Sequence, residues 1–262
     1  MAARLAGLGP FETALVALSV IAASFLLIDP LILGVVRDLD PAVRQVFRRI
    51  TDLGKSSWML LPTGIAFVVL AALRTRDIGA RAAAAYGLTA QIVAFVFVSV
   101  AAAGITASLT KNIIGRARPK HFETHGSFAF EPFAFTADFA SFPSGHATAI
   151  CALAAALAIF WPRLRLVLFV AAVWIAATRF LIGAHYVSDV VAGILLGSYT
   201  PYLLRARLAE RRWLFVKGRD GGIRLRGART LRWTGRQLRA GLNARRKAKG
   251  LRTDAESWSG GS

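Results

Sequence analysis

Thr178-Arg179-Phe180-Leu181-Ile182-Gly183-Ala184-His185-Tyr186-Val187-Ser188-Asp189 sets a cation, an imidazole and a carboxylate into sequence that is otherwise apolar on both sides. Charge inside an apolar segment is costly to bury and is kept mainly for a function. His185 and Asp189 stand four apart, so on a helix they share one face. The carboxylate can then accept the proton of one ring nitrogen and leave the other free as a nucleophile, with Arg179 holding an anion beside it. Capping and interface groups at a helix end use the same residue types, so this stretch alone does not separate function from structure.

Two clusters upstream do. Lys111-Asn112-Ile113-Ile114-Gly115-Arg116-Ala117-Arg118-Pro119 sets two cations seven apart and closes on a proline, and Phe142-Pro143-Ser144-Gly145-His146 opens a new apolar run. Each of the three clusters lies at the end of an apolar segment. Together they resemble the type 2 phosphatidic acid phosphatase family, also called lipid phosphate phosphatases, which is related to vanadium haloperoxidases and bacterial acid phosphatases. The resemblance spans residues 111–189. The family's first motif, a lysine followed after six residues by Arg-Pro, is matched by Lys111 and Arg118-Pro119. Its second, Pro-Ser-Gly-His, is matched by Pro143 to His146. Its third, Ser-Arg, five residues, His, three residues and Asp, is matched by Arg179, His185 and Asp189, with Thr178 in place of the serine.

The resemblance implies that His185 is the nucleophile and becomes a phosphohistidine, that Asp189 orients and supports it, and that His146 protonates the leaving alkoxide and then activates water. Phosphoryl transfer spreads negative charge over three equatorial oxygens, so the protein's task is positioning and electrostatic stabilisation. Lys111, Arg118 and Arg179 supply three cations for that charge. Ser144 supplies a hydroxyl, and the backbone N–H groups of Gly145 and His146 open a helix, which is a natural anion site. Neither cofactor nor metal is expected, since no clustered carboxylate or His-rich pattern suggests one. His121 and His125 match no motif and read as interface or surface histidines.

Composition points to the same class. The chain has 262 residues, 55% of them apolar, and a positive mean hydropathy, which is too apolar for an ordinary soluble domain of this size. Its one cysteine, Cys151, cannot form an intramolecular disulfide. The formal net charge of +19 would suggest nucleic acid on a soluble surface, but just over half of the 33 Lys and Arg residues follow Leu204. That segment carries no nucleic-acid-binding motif, and attraction to anionic lipids on the cytoplasmic leaflet accounts for it.

Working along the chain, Glu12 to Ile28 is a first apolar run long enough to cross a bilayer, expected to end at Asp29-Pro30. Arg4 before the run and Ala22-Ala23 within it also fit a signal peptide, but apolar character continues through Leu31 to Val36, which favours an uncleaved anchor. Residues 37–57 read as an amphipathic connection at the interface. Further crossings are expected at 56–73, 82–109, 146–161, 166–180 and 186–204, with Pro201 kinking or ending the last. Between Lys120 and Phe142, Phe122, Phe128, Phe130, Phe133, Phe135, Phe139 and Phe142 sit among Glu123, Glu131 and Asp138. Such a loop either dips its rings into the headgroup region beside the site or folds over a small core of its own.

The expected architecture is an all-α integral membrane protein. Residues 1–204 form a six-transmembrane-helix bundle with the active site at the outer membrane–water interface, and residues 205–262 form a basic, largely flexible cytoplasmic tail. The loop cations alone do not orient the bundle. Arg205, Arg207, Arg211 and Arg212 directly after the last crossing do, and place both termini in the cytoplasm. This corresponds to a bacterial inner membrane with the site facing the periplasm or exterior. The expected activity is metal-independent hydrolysis of a lipid phosphate or diphosphate of the polyprenyl diphosphate, phosphatidylglycerol phosphate or phosphatidic acid type. Lipid A phosphatase and lipid-to-lipid phosphotransferase are the alternatives, because the same nucleophile serves them. A haloperoxidase fits less well, since membrane helices and an aromatic loop suit a lipid. A transporter would carry its polar groups at the midplane in broken helices, whereas these lie at helix ends. The sequence does not indicate an oligomeric state.

Overall fold

Each apolar run of the sequence becomes a helix, because a backbone without water must satisfy its N–H and C=O groups internally. The computed structural model describes residues 9–72 and 79–227. Helix α1 (Pro10–Ala23) passes through a π-helical turn at Ser24–Ile28 into α2 (Asp29–Arg37). There follow α3 (Pro41–Thr51), α4 (Ser57–Ala72), α5 (Ala80–Ile114), the single turn α6 (Phe122–His125), α7 (Gly145–Phe160), α8 (Arg165–Leu181) and α9 (Val187–Glu210). Five helical segments among the described residues are long and apolar enough to cross a membrane. At ~1.5 Å per residue, the 16 residues of α7 rise about 24 Å, short of the ~30 Å hydrocarbon core.

Contacts divide the chain into two units, one from Met1–Ile65 and Ala94–Ala206 and the other from Ala66–Val93 and Arg207–Ser262. In the first, the core is built from small side chains. Ala103, Ala147, Ala152, Ala156 and Ala176 are completely buried, while Leu18, Leu31, Ile105, Leu166 and Trp174 are exposed. This is the pattern of a protein whose solvent is lipid, in which small residues let helices approach and large apolar ones face the acyl chains. Gly193 and Gly197 make the approach closest. A Cβ at Gly193 would press into the Ser144 carbonyl, and one at Gly197 into the Thr148 carbonyl, so α9 lies directly against the backbone of α7. Helix α7, packed most closely on α8, is therefore an interior helix.

Asp29-Pro30 does not end the first helical segment. The π turn is closed by the Asp29 N–H on the Ser24 carbonyl, and Pro30, which has no N–H to donate, follows directly in the first turn of α2. The amphipathic connection has more structure than its charge pattern suggests. Helix α3 is capped by Asp40, whose carboxylate accepts the Ala42 N–H at 2.6 Å, and packs on α8.

In the second unit the Tyr86 hydroxyl donates to the Leu70 carbonyl at 2.6 Å, and Phe215–Lys217 pairs antiparallel with Ile223–Leu225. Helix α9 runs through Pro201 to Glu210, past the expected end near Leu204, and the hairpin after it is regular structure within the stretch read as tail. The expected flexibility beyond residue 227 lies outside the described residues.

Candidate active site

Three chain segments meet at the mouth of the first unit, and backbone hydrogen bonds hold them there. After α5 the chain turns at Gly115, whose φ of +62° is left-handed and whose missing side chain leaves room for the Glu131 carbonyl. Residues 115–118 then pair with the aromatic loop, Ala117 N–H to Ala129 at 3.0 Å and Arg118 N–H to Asp138 at 2.9 Å. The loop leads to Ser141, whose N–H donates to the Arg116 carbonyl at 3.0 Å. Ser144 is the N-cap residue of α7, and its N–H donates to the Asp189 carbonyl at 2.9 Å. The first and second motifs are thereby tied to each other and the second to the third.

Within this frame the His185 ring is buried, and its Nδ1 lies 2.8 Å from the Ser141 carbonyl oxygen. A carbonyl only accepts, so Nδ1 carries the proton and Nε2 keeps the lone pair. The hydrogen bond expected to Asp189 is replaced by this one. Asp189 Oδ2 stands 3.7 Å from Nδ1, beyond hydrogen-bond length, and acts on the ring as a nearby charge. Burial pushes the His185 pKa down to about 4; Asp189 opposes the shift, and Arg179 and Arg118 add to it. The ring is neutral at neutral pH.

Asp189 is fully buried and heavily bonded. Oδ2 accepts from Ser141 Oγ at 2.6 Å and from the Tyr186 N–H at 2.9 Å, while Oδ1 accepts Arg116 Nη1 at 2.6 Å. Arg116 is itself fully buried between the rings of Phe25 and Tyr186, 4.5 and 4.1 Å from their centroids. It also donates to Ser188 Oγ at 2.6 Å, Asp29 Oδ2 at 2.8 Å and the Ser127 carbonyl at 3.1 Å. Removing one partner from such a buried set costs on the order of 3–5 kcal/mol, because a charge is left uncompensated.

The remaining residues singled out by the sequence lie close enough to the ring or to one another to interact electrostatically. Electrostatic coupling links Lys111 to Arg118, Arg179 and Asp189, and His146 to Arg179, His185 and Lys111. A Cβ on Gly145 would sit 3.5 Å from Lys111 Nζ, which places the lysine over the start of α7. Arg179 is held by Thr51, whose hydroxyl accepts Nη1 at 3.2 Å, and Gly54 packs against His146. Ser144 Oγ, Arg118 Nε and Arg179 Nε are buried without a hydrogen-bond partner. Buried donors of this kind, on three segments of the chain, suit the binding of an anion.

Lys111, Arg118, Ser144, Gly145, His146, Arg179, His185 and Asp189 are thus brought together. His121 is not among them, since it joins Lys120 on Asp138 at 3.2 and 2.5 Å. The sequence reading missed Asp29, Thr51, Arg116, Ser141 and Ser188. Of these only Arg116 had a legible signal, a third cation beside Arg118. Among the described residues, no group of three or more His, Cys, Asp and Glu is arranged to hold a metal ion.

A helical membrane protein that gathers basic side chains and a neutral imidazole at one site has the make-up of a membrane phosphatase. The PAP2 superfamily model matches residues 92–213. A lipid A 1-phosphatase of Rhizobium etli is 38% identical over 180 residues, covering 69% of this chain and 78% of that protein. A second, of Rhizobium johnstonii, is 37% identical over 179 residues, covering 68% and 73%. The crystal structure of a transmembrane PAP2-type phosphatidylglycerolphosphate phosphatase from Bacillus subtilis superposes with a TM-score of 0.51 at 24% identity, covering 77% of this chain and 96% of that one. The chain belongs to the PAP2 superfamily, the type 2 phosphatidic acid phosphatases. It is an integral membrane lipid phosphatase, a hydrolase whose substrate is a lipid phosphate.

Proposed function

We propose that the protein removes the 1-phosphate of a lipid A molecule, hydrolysing it through a phosphohistidine at His185. The observation carrying the choice of lipid is the 38% identity to a lipid A 1-phosphatase over 69% of the chain. This favours the lipid A alternative over the polyprenyl diphosphate, phosphatidylglycerol phosphate and phosphatidic acid readings. In the first step His185 Nε2 attacks phosphorus. Lys111, Arg118, Arg179, Ser144 Oγ and the Gly145 N–H hold the oxygens, and His146 gives its proton to the leaving alkoxide. The new N–P bond makes the ring cationic, which the negative charge of Asp189 supports. In the second step His146 takes a proton from water, water attacks phosphorus, and the N–P bond breaks to release inorganic phosphate and restore neutral His185.

The site lies at one end of the helices, so it meets headgroups and not acyl chains. Six crossings, with α7 as the short central one, put both termini in the cytoplasm and the site on the periplasmic face of a bacterial inner membrane. Phe128, Phe130, Phe133 and Phe135 are exposed beside the site and suit the headgroup layer, and the basic tail suits anionic lipid on the opposite leaflet.

The test is phosphate release by purified protein, with chelator present, from lipid A phosphorylated at position 1, lipid A phosphorylated only elsewhere, phosphatidic acid, phosphatidylglycerol phosphate and polyprenyl diphosphate. Preference for the first is expected. Equal or faster release from another lipid would refute the substrate assignment. His185→Ala should be inert while folded and membrane-inserted, and a residual rate of roughly a tenth or more would refute the nucleophile.

A further inference from the structure

A single guanidinium bridges two carboxylates behind the attacking ring. Asp29, Arg116 and Asp189 are each fully buried, with Arg116 Nη2 on Asp29 Oδ2 at 2.8 Å and Nη1 on Asp189 Oδ1 at 2.6 Å. Formally the three groups carry one net negative charge. Asp29 lies outside the three motifs and takes no part in the two steps above. Its other bonds go to Ser188, whose N–H donates to Oδ1 at 3.0 Å and whose Oγ donates to Oδ2 at 2.6 Å. Asp29 therefore caps the first turn of α9 from a different helix, at the residue next to Asp189, satisfying an N–H that the helix itself leaves open.

We infer that Asp29 is a positioning residue for phosphoryl transfer: it balances the charge of Arg116 and pins Ser188, so that the negative charge of Asp189 is left undivided for the His185 ring. The inference rests on His185 being the nucleophile. With Arg116 paired to Asp189 alone the two would be neutral together, and a ring made cationic by phosphorylation would have no protein counter-charge on its Nδ1 side. The groups acting on His185 are Asp189 on α9, Arg179 on α8, Arg118 after α5 and His146 on α7, with Lys111 acting on Asp189. All except Asp189 are cations or become cations. Asp52 acts on Arg179 and His146 from an exposed position, whereas the second buried carboxylate, Asp29, works through Arg116 directly behind the ring.

The experiment measures kcat and KM against pH for the purified full-length protein and for Asp29→Asn, a near-isosteric change. In Asp29→Asn, kcat should fall about 10- to 100-fold while KM changes less than about twofold, because the missing charge matters only once the ring is cationic. The acidic limb of kcat/KM should also move to lower pH, since a ring with less counter-charge holds its proton less tightly. Removing the cation as well, in Asp29→Asn/Arg116→Gln, restores the net charge and should recover at least about fivefold of the lost kcat. A structural role alone would lower the melting temperature, leave the limb in place and make the double variant worse than the single. Wild-type kcat and limb in Asp29→Asn overturn the inference, as does a double variant no faster than the single. Should Asp29→Asn fail to fold, the double variant decides: its limb is expected within about half a pH unit of wild type, and a larger displacement overturns the inference. His185→Ala is assayed alongside. Activity there brings down the nucleophile assignment, whereas an inert His185→Ala beside an unaffected Asp29→Asn brings down this inference alone.

Discussion

The carbonyl oxygen of Ser141 lies 2.8 Å from Nδ1 of His185, closer than either oxygen of Asp189. The tautomer of the ring is therefore set by backbone, which no side-chain substitution removes. Asp189 is left to supply charge and to hold Ser141 through its hydroxyl at 2.6 Å.

Ser141→Ala keeps the carbonyl and loses the hydroxyl bond to Asp189. A hydrogen bond to a charged group contributes about 1.5–3 kcal/mol, so a roughly 10- to 100-fold fall in kcat is the upper bound. Asp189→Asn removes the charge itself and should fall further, by about 10²- to 10⁴-fold. Steady-state kinetics on the two variants checks the order, and a Ser141→Ala enzyme slower than Asp189→Asn would contradict it.

The pH dependence follows from burial of His185. Its pKa is lowered to about 4, so the neutral, attacking form predominates above that value and is lost as pH falls through it. The acidic limb of kcat/KM should lie near pH 4 to 5 by this group, not near the ordinary imidazole value of about 6.5. Bound phosphate favours the imidazolium, so the limb of kcat should lie higher than that of kcat/KM. A substrate analogue whose charge is constant over the range makes the measurement clean. Limbs at pH 6 or above in both parameters would show that burial does not control the ring.

Gly197→Ala adds one methyl group where α9 meets the backbone of α7. Overpacking of this kind costs about 1–3 kcal/mol. Thermal unfolding in detergent should show the loss. Activity should fall too, because α7 begins at the candidate site, with Ser144 as its N-cap. A variant as stable as the parent would mean that the two helices separate easily.

Truncation after Gly227 keeps the β-hairpin and removes most of the basic residues that follow α9. Detergent-solubilised activity should be unchanged, while retention on vesicles containing anionic lipid should weaken. A large loss of activity in detergent would mean that the removed segment supports the site.

The helices were legible because a membrane demands long apolar runs: each expected crossing overlaps a helix, and the first runs on through its π turn to Arg37, past the expected end at Asp29-Pro30. Lys111, Arg118, Ser144, Gly145, His146, Arg179, His185 and Asp189 stood out as candidates because they keep the spacing of three motifs. What escaped was the support behind them. Asp29 reads as a helix terminator before Pro30, Ser141 as one more polar residue in an aromatic loop, and Thr51 as one residue within an amphipathic connection. Their significance depends on partners 159, 44 and 128 positions away, and no local pattern encodes such pairings.

The π turn at Ser24–Ile28 gives the first helix one place where the residue count can change. A π turn accommodates one residue more than an α turn, and each residue of an α-helix advances the direction of its side chain by about 100°. Deleting a single residue from this turn would let it relax to α geometry and leave hydrophobicity and length almost untouched. Because the shorter α turn sweeps nearly the same rotation, Asp29 would still face Arg116 and Ser188. The first helix can thus lose one residue at this turn and keep its reach to the reaction centre, whereas a deletion within the α-helical residues on either side would rotate one flank against the other.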